Sequence, residues 1–258
     1  MLANNNEAII NKLAKNSVKT NKKQYAILFF TIILSAFMLF CVFTIGMTYL
    51  NSSRLQNTRL NGAEYDIVTM NGFTSEQLNT LQQNENIRSV GIESYAGFIQ
   101  STEYDKTVEI GLLWCDEVFW DNLMSPARTK LDGHYPQNKN ELMVTKDILK
   151  TCGNENLSVG DSLILTYENN TGVYTDEFVI SGIWDGYGDT SAGFVSKAFY
   201  DETGYDLKNN GILCIKLNCN YVFPTTIQSI EKSLDFSDRQ IFAPTGYIEN
   251  SFKLLLGI

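Results

Sequence analysis

The chain has 258 residues, 44% hydrophobic and 19% charged, with a formal net charge of −9 at pH 7. Residues 1–23 hold five lysines against Glu7, a net of +4, so the remainder carries −13 and lacks the basic surface with which nucleic-acid binders neutralise phosphates. One histidine, 29 acidic residues and no Gly or Ser tracts exclude collagen, a coiled coil and a disordered polymer. The apolar content gathers near the start, the pattern of a membrane protein with a large folded domain.

Lys12, Lys15, Lys19 and Lys22 recur at spacings of three and four, so a helix places them on one face with Ile9, Ile10, Leu13 and Ala14 roughly opposite. With Lys23 they predict a basic amphipathic segment over residues 1–23 that lies at the lipid bilayer. The alternative is a solvated tail that only sets topology. No charge falls between Gln24 and Ser53, and Tyr25 to Leu50 is almost continuously apolar. These 26 residues would span about 39 Å as a helix against a hydrocarbon core of about 30 Å, which predicts a transmembrane helix over residues 24–50. A cleaved signal peptide fits less well, because its apolar region runs to only about 7–15 residues and no small-x-small cleavage site follows Leu50. The lysines before the span outnumber Arg54 and Arg59 after it. The positive-inside rule therefore puts the N-terminus in the cytoplasm, the span in the cell membrane and residues 54–258 outside.

The outer residues predict an α+β domain. Residues 63–70 read as a strand; TSEQ at 74–77 is a capping box, with Phe73 and Leu78 placed to staple a helix running to about Gln83; residues 88–98 read as the next strand. The pattern repeats late in the chain: a strand over 211–217, a second capping box over Thr225–Gln228, a helical face of Ile227, Ile230 and Leu234, and a strand over 239–243. Two such β-α-β halves, at 54–105 and 206–250, predict a split β-α-β domain with a β-rich insertion at 106–205. Within the insertion, residues 106–114 form a strand, and residues 162–167 and 177–183 form a hairpin joined through Asn169-Asn170-Thr171-Gly172. A short helix there is capped by Thr145 and stopped by Gly153, with Ile148, Leu149 and Cys152 facing inward.

Signals for chemistry are weak. No Gly-x-x-x-x-Gly-Lys-Ser/Thr loop occurs, so any ATP hydrolysis belongs to another subunit. GYGDTSAG at 186–193 lacks the lysine and reads as a loop. His134, the one histidine, sits in a Gly-His-Tyr-Pro turn unsuited to a catalytic triad. Cys115, Cys152, Cys214 and Cys219 contain no Cys-x-x-Cys pair and allow three two-disulfide connectivities or free buried thiols. Asp116-Glu117 and Asp185 with Asp189 read as solvated acidic surface. No catalytic, cofactor or metal residue is assigned, and the expectation is a non-enzyme.

Four segments carry a resemblance: NKLAKNSVKTNKKQ leading straight into the apolar run, DGHYPQNKNELMV at 132–144, VGDSLILTY at 159–167 and FVISGIW at 178–184. Together they resemble the FtsX-like and MacB-like permeases of ABC transporters, over nearly the whole chain. The positions matching that family's turn and strand motifs are Gly133, Tyr135, Pro136, Asn140, Glu141, Gly160, Asp161, Phe178, Ile180, Gly182 and Ile183. Each has a local reason in turn or strand chemistry, so they are expected to build the fold and bind nothing.

The resemblance implies a MacB-like extracytoplasmic core and a permease subunit that binds no cofactor itself. Its partners would be an ABC-type ATPase subunit holding the ATP and a second permease copy or paralogue. Closure of the ATPase would be transmitted mechanically through the membrane to an outer domain that acts on a peptide, lipoprotein or drug. Such permeases carry further spans after the outer domain. Residues 251–258, SFKLLLGI, are the one candidate start of a second and are too short to cross. The expectation is a front portion, a truncated product or a split subunit. The rival reading is a single-pass surface binding or sensor protein with no ATPase partner. A membrane-anchored hydrolase ranks last, for want of a nucleophile and base.

Overall fold

With no proline among residues 6–61, the chain forms two helices, α1 (Asn6–Thr20) and α2 (Lys22–Asn61), parted at Asn21. Backbone hydrogen bonds run through the break: Asn21 N–H donates to Ser17 O at 2.9 Å and Tyr25 N–H to Asn21 O at 3.1 Å. The computed structural model describes residues 6–100, 110–187, 192–218 and 224–245, in two units, Met1–Ser52 and Ser53–Ile258. Helix α2 is long and apolar enough to cross a membrane, and none of its apolar window is buried. Three hydroxyls of the apolar run are satisfied along the helix, Thr31 donating to Ile27 O at 2.8 Å, Ser35 to Thr31 O at 2.9 Å and Thr44 to Phe40 O at 2.8 Å. Internal pairing of this kind is what a hydrocarbon medium demands. The helix outlasts the predicted span and ends at Asn61, because nothing breaks it before Gly62, whose φ of +71° provides the left-handed C-terminal residue.

The second unit, labelled the outer unit after the sequence expectation, opens with β1 (Ile67–Met70), α3 (Ser75–Gln82) and β2 (Ile87–Ile99). The insertion then contributes β3 (Ile110–Cys115), β4 (Arg128–Gly133), β5 (Glu141–Thr145), α4 (Lys146–Thr151), β6 (Ser162–Asn169), β7 (Gly172–Gly186) and β8 (Ala192–Val195). The chain closes with α5 (Lys197–Tyr200), α6 (Leu207–Asn210), β9 (Ile212–Leu217), α7 (Pro224–Ser233) and β10 (Ile241–Pro244). Strands β10-β1-β9-β2 lie side by side with every pairing antiparallel. That is the order of a split β-α-β fold. One face of it is covered by α3 and α7, which together with Leu234 just past α7 bury Leu81, Ile227 and Ile230 against Ile67, Val90, Leu213 and Ile215. The other face packs Val68 and Cys214 beneath Phe119, Trp120 and Leu123 of a π-helical turn, Val118–Leu123, that nothing in the sequence pattern announced.

Strand β2 is shared. It bends at a bulge between Tyr95 and Gly97, and its far end pairs with both β3 and β6. The pairings β2-β3-β8-β5-β7-β6 return to β2 and close a circuit around a second core, which includes Leu112, Leu142, Leu163, Phe178 and Ile180, with Ile148 and Leu149 of α4 packed into it.

The first capping box is present as expected: Thr74 Oγ1 accepts Gln77 N–H at 3.1 Å and Gln77 Oε1 accepts Thr74 N–H at 2.9 Å. The second is not. Helix α7 begins at Pro224, which needs no amide partner in the first turn and already has a helical φ, so Thr225 falls inside the helix instead of capping it. The strand expected over 63–70 is reduced to β1, because Glu64 N–H turns away to Leu123 O at 2.7 Å. Thr145 caps α4, accepting Ile148 N–H at 3.2 Å, and Gly153 follows its end with φ +71°. Cys115, Cys152 and Cys214 are free and buried; Cys219, residues 106–109 of the predicted strand, residues 188–191 of the glycine-rich loop and residues 251–258 lie outside the described residues.

Candidate functional site

Two features of the outer unit stand out, and the first was not foreseen from sequence. The last turns of α2 and the residues just after it supply Arg54, Glu64 and Asp66, and β9 brings Lys216 to them. Lys216 Nζ lies 3.2 Å from Glu64 Oε1 and 3.2 Å from each oxygen of Asp66, while Arg54 pairs with Glu64 on its other side. Asp66 also accepts Leu217 N–H at 2.8 Å. Lys216 is 6% exposed and Asp66 4%, so these charges are held out of water and persist only because they are mutually paired. Burial works to raise Glu64, but the Lys216 ammonium and the Arg54 guanidinium outweigh it and hold the carboxyl below its usual range. The network fastens the residues that follow the apolar helix to the central strand of the split β-α-β sheet. A cavity of about 420 Å³ bordered by Glu64, Lys216, Arg88 and Asp121 opens beside it. The sequence did hold a signal: Asp66 and Lys216 are charges set within apolar strand residues, Ile67-Val68 and Ile215-Leu217, where only a paired charge is tolerated.

The second feature is the convergence of the family-motif positions, far apart in sequence, on one stretch of β7. Gly133 sits opposite Gly182, and His134 N–H donates to Ser181 O at 2.9 Å. Val179 N–H donates to Asn140 O at 2.8 Å, and Glu141 pairs with Val179. Gly160 N–H donates to Ile180 O at 2.8 Å, while Ile180 N–H donates to Asp161 O at 2.9 Å. Gly133 has φ +89°, and a Cβ there would lie 2.2 Å from Ser181 O, so no other residue fits.

Tyr135 reaches across to the strand beyond: its hydroxyl accepts Cys115 N–H at 3.0 Å and lies 3.2 Å from both Cys115 O and Val195 O. Its ring packs between Trp120 and Phe194. Pro136 is buried beside it, Phe178 and Ile180 are core, and Ile183 packs against the same core. The Glu141 carboxylate accepts Gln137 N–H at 2.7 Å and Asn138 N–H at 3.1 Å, bonds that overcome burial and lower its pKa. Asp161 Oδ2 accepts Ser158 N–H at 2.8 Å. These side-chain bonds close within the turns that carry them.

The basic positions stand apart. Lys12, Lys15 and Lys19 lie on α1 and Lys22 and Lys23 open α2; all five are exposed. Burial pushes the Cys115 and Cys214 thiols far up and so disfavours the reactive thiolate. Between them on β2 is Glu93, in register with Cys115 and Ile212, whose carboxyl burial pushes up to about 7. His134 is exposed, with Nδ1 3.0 Å from Tyr135 O. Among the described residues no cluster of three or more His, Cys, Asp or Glu is placed to hold a metal ion.

No family model matches the chain, and no curated protein matches it. Solved structures do. The periplasmic region of MacB from Actinobacillus actinomycetemcomitans aligns with a TM-score of 0.48 at 14% identity, over 75% of this chain and 95% of that one. The extracellular domain of the noncanonic ABC-type transporter YknZ from Gram-positive bacteria aligns with a TM-score of 0.43 at 11% identity, over 69% of this chain and 98% of that one.

Proposed function

We propose that this chain is a permease-type subunit of an FtsX-like or MacB-like ABC transporter, or the front portion of one. In this reading α1 lies at the cytoplasmic face of the cell membrane, α2 crosses it, and the outer unit acts on a peptide, lipoprotein or drug outside. ATP is bound and hydrolysed by a separate ATPase subunit, and a second permease copy or paralogue completes the membrane part. The observation that carries the reading is the order of parts along the chain: an apolar helical run is followed by a split β-α-β unit, in which Arg54 and Glu64 join the buried Lys216 and Asp66 in one charge network.

The test is cross-linking in native membranes from cysteines placed at Lys12 and Lys15, followed by identification of the adducts by mass spectrometry. The expected adduct is a subunit with a Gly-x-x-x-x-Gly-Lys-Ser/Thr loop, more abundant than with a cysteine at Ile164 of the outer unit. Adducts containing no such subunit would leave the chain a single-span surface protein.

A further inference from the structure

The tip of the β6–β7 hairpin, the loop after α5 and the turn before β5 enclose a cavity of about 220 Å³. Its wall is mainly polar but includes three aromatic side chains, the buried Tyr167 ring lying with its centroid 6.0 Å from that of the exposed Tyr174 and 5.4 Å from that of the buried Phe199. Two carboxylates, Asp176 and Glu202, share it. The Tyr167 hydroxyl donates to Asp176 Oδ2 at 2.6 Å, and the fields of Asp176 and Glu202 add to burial in pushing that phenol up, so both acids face the same wall. Asp176 has no cationic partner among the described residues. Glu202 has one, Lys139 Nζ at 2.5 Å, but both side chains are more than half exposed, and such surface pairs are weak. Lys139 therefore seats an ammonium group of this chain at the mouth of a cavity built from π faces and negative oxygens. Those are the groups that attract an organic cation. The volume falls below the roughly 300–1,000 Å³ of pockets for drug-sized ligands and suits a single side chain.

We propose that this cavity binds an alkylammonium group presented by a peptide, a lysine side chain, which displaces Lys139 from Glu202 and sits between the carboxylates and the tyrosine rings. The inference goes beyond the transporter reading, since it concerns the outer unit and holds with or without an ATPase partner.

The test uses the full chain in lipid nanodiscs, titrated by isothermal calorimetry and saturation-transfer NMR with Nα-acetyl-lysine methylamide and with its uncharged norleucine analogue. Saturable binding of the lysine probe is expected at about millimolar Kd, roughly tenfold tighter than the analogue. Asp176→Asn keeps an acceptor for Tyr167 and should weaken binding about tenfold. Glu202→Gln, at a largely exposed position, should weaken it about threefold without touching the tyrosine hydrogen bond. Lys139→Met removes the internal competitor and should tighten binding by about twofold. Equal binding of the norleucine analogue, no loss in either acid variant, or weaker binding by Lys139→Met would each overturn the assignment.

Discussion

Replacing Lys216 by methionine keeps the length of the side chain and removes its charge from the least exposed ion network among the described residues. At 3.2 Å and an effective dielectric constant of about 20, each lost pairing is worth about 5 kcal/mol before desolvation is counted. Removing one partner of a buried pair typically costs about 3–5 kcal/mol, because the other charge remains buried. Glu64 retains Arg54 and is a quarter exposed, so the loss falls on Asp66, which keeps only the Leu217 N–H bond. We expect about 3 kcal/mol, or a fall in Tm of roughly 6–12 °C for a unit of this size. Thermal and urea unfolding followed through the buried tryptophans Trp114, Trp120 and Trp184 would measure it. The double variant Lys216→Met/Asp66→Asn removes both charges and should recover to within about 1 kcal/mol of the parent. A single variant costing less than about 1 kcal/mol, or a double variant no better than the single, would refute the claim that paired burial is what the network supplies.

Two further outcomes follow from the geometry. Gly133→Ala forces a Cβ to within 2.2 Å of Ser181 O at a φ of +89°, and should destabilise the outer unit by at least about 2 kcal/mol in the same unfolding assay; a loss under about 0.5 kcal/mol would mean that β7 yields at this crossing. Glu93 binds a proton more tightly in the folded chain than in the unfolded one, so its effect on stability is most favourable at low pH. Stability should decline as pH rises from the ordinary carboxylate range through about 7, by at most about 3 kcal/mol. Glu93→Gln should flatten that part of the pH profile, and an unchanged slope would remove Glu93 as its source.

Local chemistry told the parts of this chain apart. The apolar run could be read directly because a helix with no water-facing side must stand out in composition. The first capping box and the β6–β7 hairpin were legible for the same reason, since their determining contacts lie within a few residues. Even the split β-α-β order was available, from two strand-helix-strand patterns at opposite ends of the chain. Where local rules compete, the sequence misled: Pro224 took the first turn of α7 and displaced the predicted cap at Thr225.

What only the tertiary structure decided is what lies far apart in sequence and meets by pairing of strands. Asp66 and Lys216 are 150 residues apart, and either alone reads as an unexplained charge in a strand. The register of β1 with β9 makes them a pair. Gly133, Asn140 and the Gly160-Asp161 pair each read as an isolated turn, yet all three turns are anchored on residues 179–182 of β7. The cavity between the hairpin tip and α5 is likewise absent from any stretch of sequence, because Asp176 and Glu202 share a wall only after β7 and the segment following α5 pack on one core. A sequence states which residues need a partner. Which partner each one receives depends on sheet registry, set by hydrophobic faces and backbone hydrogen bonds acting over the whole chain.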